Sequence, residues 1–304
     1  MKRPLLIFTL CCPSFAAAEV ENTTGMADEY FLKRDDLNAP SAYLQFGWSG
    51  DSDFKSSDAR ISYTRLTMRT ALYKPVQLTD NLRLLPTLRY ESTWFDLDGI
   101  DALNDVNVHT LAFSFNFFYN QPGSKWSFIA TATPGISSDF SDVNGDDFYI
   151  NGLVGAKYRW NDDFSLLIGA GSVRRLGGQL LLPAIGFEWR PSDCTYVSLR
   201  GPVFTAAWQP HEDWIIRAMV LPGGGVWNVK DKETSASYDI KQSNFQGGLL
   251  VERRLSQHVW LTAWGGLTFA NEVEIETASG GNTVFEDDIE NGWFVYTGLR
   301  VAVW

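Results

Sequence analysis

From residue 41 to residue 304 the chain alternates apolar and polar side chains with a period of two. Alternation of that kind puts successive side chains on opposite faces of a strand, so it commits the chain to β-structure. Ala42, Leu44, Phe46 and Trp48 share one face, opposite Tyr43, Gln45 and Gly47. Leu66, Met68, Thr70 and Leu72 alternate with Arg65, Thr67, Arg69 and Ala71, and Leu82, Leu84, Leu88 and Trp94 with Arg83, Thr87, Arg89 and Glu91. The runs are long enough for tilted strands that cross a bilayer, which takes about 9 to 11 residues each. Leu111, Phe113, Phe115, Phe117 and Tyr119 crowd one face of a single strand, so that face meets lipid or a second sheet.

The connections alternate in length. Short turns fall at 75–80, 120–125, 160–163, 190–193, 210–213 and 254–258, and long polar loops near 96–106, 137–147, 230–237 and 271–291. Short turns at one end and long loops at the other are the organisation of an outer-membrane barrel. The stretch 195–208 interrupts the pattern with Arg200-Gly201-Pro202, because proline cannot donate to a central ladder. Reading it as two short strands keeps the alternation and predicts an all-β, antiparallel, transmembrane up-and-down barrel of about twelve to fourteen strands over residues 41–304.

Hydrocarbon outside such a sheet requires every backbone polar group to be paired internally, which a closed barrel achieves. Past the N-terminus no apolar run reaches the roughly 18 residues of a helical span. Trp48, Trp94, Tyr119, Trp126, Trp160, Phe164, Trp189, Trp214 and Trp293 lie near strand ends, where amphipathic rings favour the headgroup level. The competing arrangement is a soluble β-sandwich with the same aromatics in its core.

Residues 1–18 have the three parts of a secretory signal: Lys2-Arg3, the apolar stretch Leu5 to Cys12, and Ala16-Ala17-Ala18 before Glu19. A lipoprotein anchor at Cys11 or Cys12 is the alternative, although Leu10 stands where a small residue would be expected. Removal of the signal leaves Cys194 alone, so the exported chain forms no internal disulfide. Residues 19–40 are polar and aperiodic, a tail or plug segment. The outer membrane is the expected location, with lipid, lipopolysaccharide and the barrel-assembly machinery as partners; terminal Trp304 resembles an assembly signal but falls out of phase with apolar Leu299, Val301 and Val303. A net charge of −11 argues against nucleic acid.

Leu182-Pro183, Gly186-Phe187, Trp189-Arg190-Pro191-Ser192, Gly201-Pro202, Gly223-Gly224-Gly225 with Trp227, and Glu252-Arg253-Arg254-Leu255 resemble a family of bacterial outer-membrane barrels known as a domain of unknown function. The resemblance covers mainly residues 150–304 and implies the barrel without an activity.

If the apolar face meets lipid, the alternate face lines a lumen. It collects Arg65, Arg69, Arg83, Arg89, Lys157, Arg159, Arg190, Arg217 and Arg300 with Glu91, Glu188 and Glu252. A basic wall favours anions over cations, which predicts a pore or transport-type barrel for small solutes, anions among them. The alternative is a structural or adhesive barrel in which these ions pair and pack the lumen, and acidic loops (Asp96, Asp98, Asp101, Asp105; Asp139, Asp142, Asp146, Asp147; Glu286, Asp287, Asp288, Glu290) meet outside partners. Asp142-Val143-Asn144-Gly145-Asp146 resembles the start of a calcium loop, but its glycine stands in the wrong place and the closing glutamate is missing. An envelope hydrolase would need a nucleophile and base in reach: His211 and His258 fall in turns, and only His109 lies near acids, Asp101 and Asp105. No motif indicates an enzyme, and none calls for a metal or nucleotide cofactor.

Overall fold

The computed structural model describes residues 41–99, 106–174, 178–231, 236–278 and 281–302. The expected signal (1–18), the polar tail (19–40), Asp101, Asp105 and Trp304 lie outside them. Sixteen strands are present among the described residues: β1 (Ser41–Asp53), β2 (Arg60–Ala71), β3 (Val76–Thr79), β4 (Leu82–Asp98), β5 (Asn107–Asn120), β6 (Trp126–Ser138), β7 (Phe148–Arg159) and β8 (Phe164–Val173), then β9 (Leu180–Ser192), β10 (Thr195–Arg200), β11 (Val203–His211), β12 (Trp214–Lys230), β13 (Ser237–Arg254), β14 (Val259–Thr277), β15 (Thr283–Ile289) and β16 (Trp293–Ala302). No described helix is long and apolar enough to cross a membrane.

Neighbouring strands pair antiparallel in chain order, and β1 pairs with β16 to close the sheet on itself. Two positions around the ring are shared. The short β3 continues the lane of β2 along β4, and β15 continues the lane of β16 along β14, so the closed ring has fourteen staves. Fourteen agrees with the upper end of the sequence expectation, and the even number brings the start of β1 and the end of β16 together at the turn side, where Ser41 faces Ala302. The Arg200-Gly201-Pro202-Val203 segment is indeed a tight connection between two short strands, with Gly201 at φ +57°. Glycine takes that left-handed backbone without a Cβ penalty, and the proline needs no ladder partner in a turn.

The alternation sorts the faces as the pattern requires. Leu44, Phe46, Trp48, Phe113, Phe115, Phe128, Val154, Ile168, Ile185, Leu249, Val295 and Leu299 are exposed, while their strand neighbours are buried or half-buried. Exposed rings fall in two belts. Trp48, Trp94 and Trp293 lie toward the loop side, with Trp48 edge-on to Trp293 at 4.4 Å; Tyr119, Trp126, Trp189, Trp208 and Trp214 lie toward the turns. Trp94 and Leu82, which pairs with Tyr119, lie twelve residues apart on β4. At the usual rise and tilt that separates the belts by about 30 Å, the thickness of a hydrocarbon core.

The wall is uneven. β12, β13 and β14 run 17, 18 and 19 residues, whereas β10 runs 6 and β11 runs 9. A six-residue strand at that tilt rises about 15 Å, roughly half the hydrocarbon depth. Above Phe204↔Val220 the ladder with β11 ends, and β12 turns inward. Its Gly224, at φ +79°, supplies the bend, and Asn228 reaches Ser138 of β6 in parallel register across the interior. Both faces of β12 are then covered: Val226 and Asn228 are buried as well as Trp227 and Val229.

The region 271–291, expected as a long loop, is instead the extended hairpin of β14 and β15. Ala270, at φ +50°, marks a bulge after which the buried side passes from Trp264 and Thr268 to Asn271, Val273 and Ile275. One extra residue inverts the phase of a period-two pattern, which hides the strand from a sequence reading.

Candidate functional site: the charged interior of the barrel

The interior is stratified. Toward the loops it is apolar: Phe54, Ile61, Tyr63, Phe95, Leu97, Val108, Trp227, Val229, Ile240, Val273, Ile275 and Ile289 form one packed cluster. The inward bend of β12 is fixed to this cluster and to β6. Trp227 Nε1 donates to Thr110 Oγ1 (3.1 Å), Ser137 Oγ to the Val226 carbonyl (2.7 Å), and the Asp139 amide to the Asn228 carbonyl (3.1 Å).

Below this cluster, from the level just beneath Trp94 down to the turns, the interior is ionic. Three glutamates, each with a side chain no more than 6% exposed, are each flanked by two cations. Glu91 meets Arg89 and, at 3.8 Å, Arg65, whose Nε also donates to Thr93 Oγ1. Glu188 holds Lys157 on one oxygen and Arg200 on the other, both at 2.7 Å, and Arg200 donates further to the Tyr196 hydroxyl. Glu252 takes Nε and Nη2 of Arg217 on Oε2, both at 2.9 Å, and Nε of Arg300 on Oε1 at 2.8 Å. A buried carboxylate is tolerable only with close counter-charges, and two cations per carboxylate leave each group with a positive balance.

The other expected lining residues occupy the same alternate positions. Arg69 is buried and pairs in register with Arg89; Arg190 lies over the Tyr196 ring at 5.2 Å; Arg83 and Arg159 are exposed near the turn side. Arg200 is absent from the sequence expectation. Its phase with Tyr196 and Ser198 was available, but the Gly201-Pro202 break obscured which strand it belonged to. With Arg200 the expected set becomes ten cations and three carboxylates on this side of the sheet. Burial also differs around the ring. Leu153, Lys157, Leu167 and Leu182 on β7, β8 and β9 are half-buried, whereas Arg217, Glu252, Trp260 and Phe294 opposite them are buried.

The remaining candidates have structural partners. His109 stacks between Tyr90 and Phe140 on the outer face, its Nδ1 at 2.9 Å from the Tyr90 hydroxyl. His211 lies 3.7 Å from Asp213 in a turn. The calcium-like segment caps a 3-10 turn, Gly145–Asp147: Asn144 Oδ1 accepts from the Asp146 amide and Asp147 Oδ2 from the Asn144 amide. Asp142 pairs with Lys230 at 2.8 Å, and this hydrogen bond holds its carboxyl below the usual aspartate range. Burial pushes the Asp147 carboxyl the other way, up, against the Asn144 amide that favours its charged form. No group of metal-ligating side chains gathers among the described residues.

A family model described as a domain of unknown function (DUF6268) matches residues 86–302. Among curated proteins, no sequence matches this one. The fold is similar to the outer membrane channel from Pseudomonas putida F1 (TM-score 0.47, 10% identity, 87% of this chain and 94% of that one). It is also similar to the translocator domain of autotransporter NalP from Neisseria meningitidis (0.35, 10%, 89% and 90%) and to the KdgM porin in complex with disordered oligogalacturonate (0.36, 7%, 86% and 99%).

Proposed function

This chain belongs to the DUF6268 family, and from that premise we propose that it is an outer-membrane pore of transport type for small solutes, anions among them. The observation that carries the reading is the excess of cations over carboxylates on the inner face. A wall of that sign lowers the barrier for anions and raises it for cations. The outer face supports the membrane setting, since a continuous apolar surface between two aromatic belts is what hydrocarbon requires of a barrel. The path we favour runs along β7 to β9, where Lys157 keeps 28% of its side chain exposed beside the deeply buried Glu188.

Purified protein in planar bilayers tests this. The expected result is discrete conductance with anion preference, reduced in Lys157→Gln; insulating membranes at all voltages would overturn it. A second reading is a structural or adhesive barrel, favoured by the apolar cluster that packs the loop side. It predicts the insulating outcome together with intact, heat-resistant barrels.

A further inference from the structure

We propose that the barrel binds a carboxylate near its turn-side end, on the guanidinium edges that Glu252 leaves free. Arg300 reaches Glu252 through Nε, yet both its Nη1 and Nη2 are buried with no partner. Arg217 spends Nε and Nη2 on the same carboxylate and leaves Nη1 equally unmet. Trp260 Nε1 and Thr262 Oγ1, on the strand between them, are also without partners. All four residues are 4% exposed or less. The register makes them neighbours: Trp260 is opposite Arg300, Thr262 is opposite Glu252, and Arg217 and Arg300 share that glutamate.

Buried polar groups are rarely left unsatisfied, so a group of such atoms marks a missing acceptor. The unmet nitrogens are all donors, and the two guanidiniums exceed the one carboxylate by a positive charge. A cation is repelled there, and a neutral donor finds only the Thr262 hydroxyl to accept from it. What fits is an anion that only accepts. The Nη1–Nη2 edge of an arginine presents two parallel N–H bonds at the spacing of the two oxygens of a carboxylate, and that edge is the one Arg300 has free. Met219, Leu250 and Trp264 belong to a buried apolar cluster on the neighbouring strands, and these are the side chains that would part to admit the carbon body of the acid. Arg254, half-buried at the end of β13 with its guanidinium 5.1 Å from the Trp260 ring centroid and paired with Asp213 at 3.6 Å, adds a third cation on the turn side of this group.

The inference rests on the pore reading for how a solute arrives, and not for whether it binds. Calorimetric titration of the purified barrel in nonionic detergent with benzoate, with benzyl alcohol and inorganic phosphate in parallel, tests it. Benzoate should bind saturably at one site, raise the thermal unfolding temperature, and outcompete phosphate; benzyl alcohol should do neither. Arg300→Lys keeps the charge but loses the two-pronged edge, and Trp260→Phe removes one N–H without touching the ion pairs. Each should weaken benzoate roughly tenfold, the worth of a charge-assisted hydrogen bond. Trp260→Phe keeps the test decisive where Arg300→Lys folds poorly. Absence of saturable binding, equal binding of benzyl alcohol, tighter binding of phosphate, or unchanged affinity in a folded variant would each overturn the proposal. Binding in micelles is read without conduction, so a barrel that binds benzoate but insulates a bilayer refutes the pore alone, and one that conducts without binding refutes this site alone.

Discussion

Asn228 of β12 lies in parallel register against Ser138 of β6, although five strands separate β6 from β12 in the ring. The contact divides the barrel near its loop end. On one side of it lies the apolar cluster bounded by β1, β2, β4, β5 and β12 to β15; on the other stand the shorter β7 to β11. The bend at Gly224 makes it possible, and a side chain at φ +79° is strained. Gly224→Ala should cost about 1–2 kcal/mol, the penalty of a left-handed L-residue, read as a lower urea midpoint with an unchanged slope.

Trp227 fastens the same crossing from inside, fully buried and hydrogen-bonded to Thr110. Trp227→Ala should destabilise by about 3–5 kcal/mol, as large aromatic truncations in packed cores do. If the apolar cluster occludes the loop end, the same variant raises conductance in bilayers; an unchanged conductance would place the path elsewhere.

Glu252 is the shared counter-charge of two buried guanidiniums. Glu252→Ala leaves both uncompensated and should cost about 3–5 kcal/mol, seen as a fall in the yield of folded, heat-modifiable protein. Replacing Glu252, Arg217 and Arg300 together with apolar residues of similar size should recover most of that loss, because the group then has no charge left to bury.

Depth sets the cost of a charge on the outer face. Phe115, exposed midway along β5, should lose about 2–4 kcal/mol of folding free energy in vesicles as Phe115→Arg, and Trp94→Arg at the belt only about 0–1. Equal costs at the two positions would contradict the lipid-facing assignment.

The β6–β7 connection contains two aspartates shifted in opposite directions. Asp142 titrates below an ordinary aspartate, so its bond to Lys230 stabilises the loop above the unfolded-state pKa and is lost as pH falls through the lower, folded value. Asp147 titrates above, so the folded loop holds its proton more tightly than the unfolded chain, and its contribution declines as pH rises from the unfolded value to the folded one. Carboxyl chemical shifts followed from pH 2 to 7 should show the two midpoints on opposite sides of about 3.9, the unperturbed aspartate value.

The class of fold was legible because lipid on one side and protein on the other impose strict alternation, visible at Phe113, Phe115 and Phe117 against Ala112, Ser114 and Asn116. Features that break the period were legible only in part: the Gly201-Pro202 turn between two short strands was, the bulge at Ala270 was not. The bulge at Ala270 disguised β15 as a loop, and the Gly201-Pro202 turn hid Arg200. The pairing of each glutamate with two particular cations follows from tilt and register, which bring residues from separate strands together; a single sequence gives the face of Arg217 and Arg300 but not their common partner. The apolar filling of the loop side was equally hidden, since Phe95, Leu97 and Val108 follow an alternation that does not say how far a neighbouring wall stands away.

The six-residue β10 has a consequence for the surrounding lipid. Acyl chains beside β13 find a protein surface taller than themselves, while those beside β10 find one that stops near the bilayer midplane, about 15 Å up. Lipid accommodates such a step by thinning locally or by tilting its guest, at a small cost per ångström of mismatch. The molecule therefore has a front and a back within the plane of the membrane, and its neighbours, lipid or protein, will settle around it by direction rather than at random.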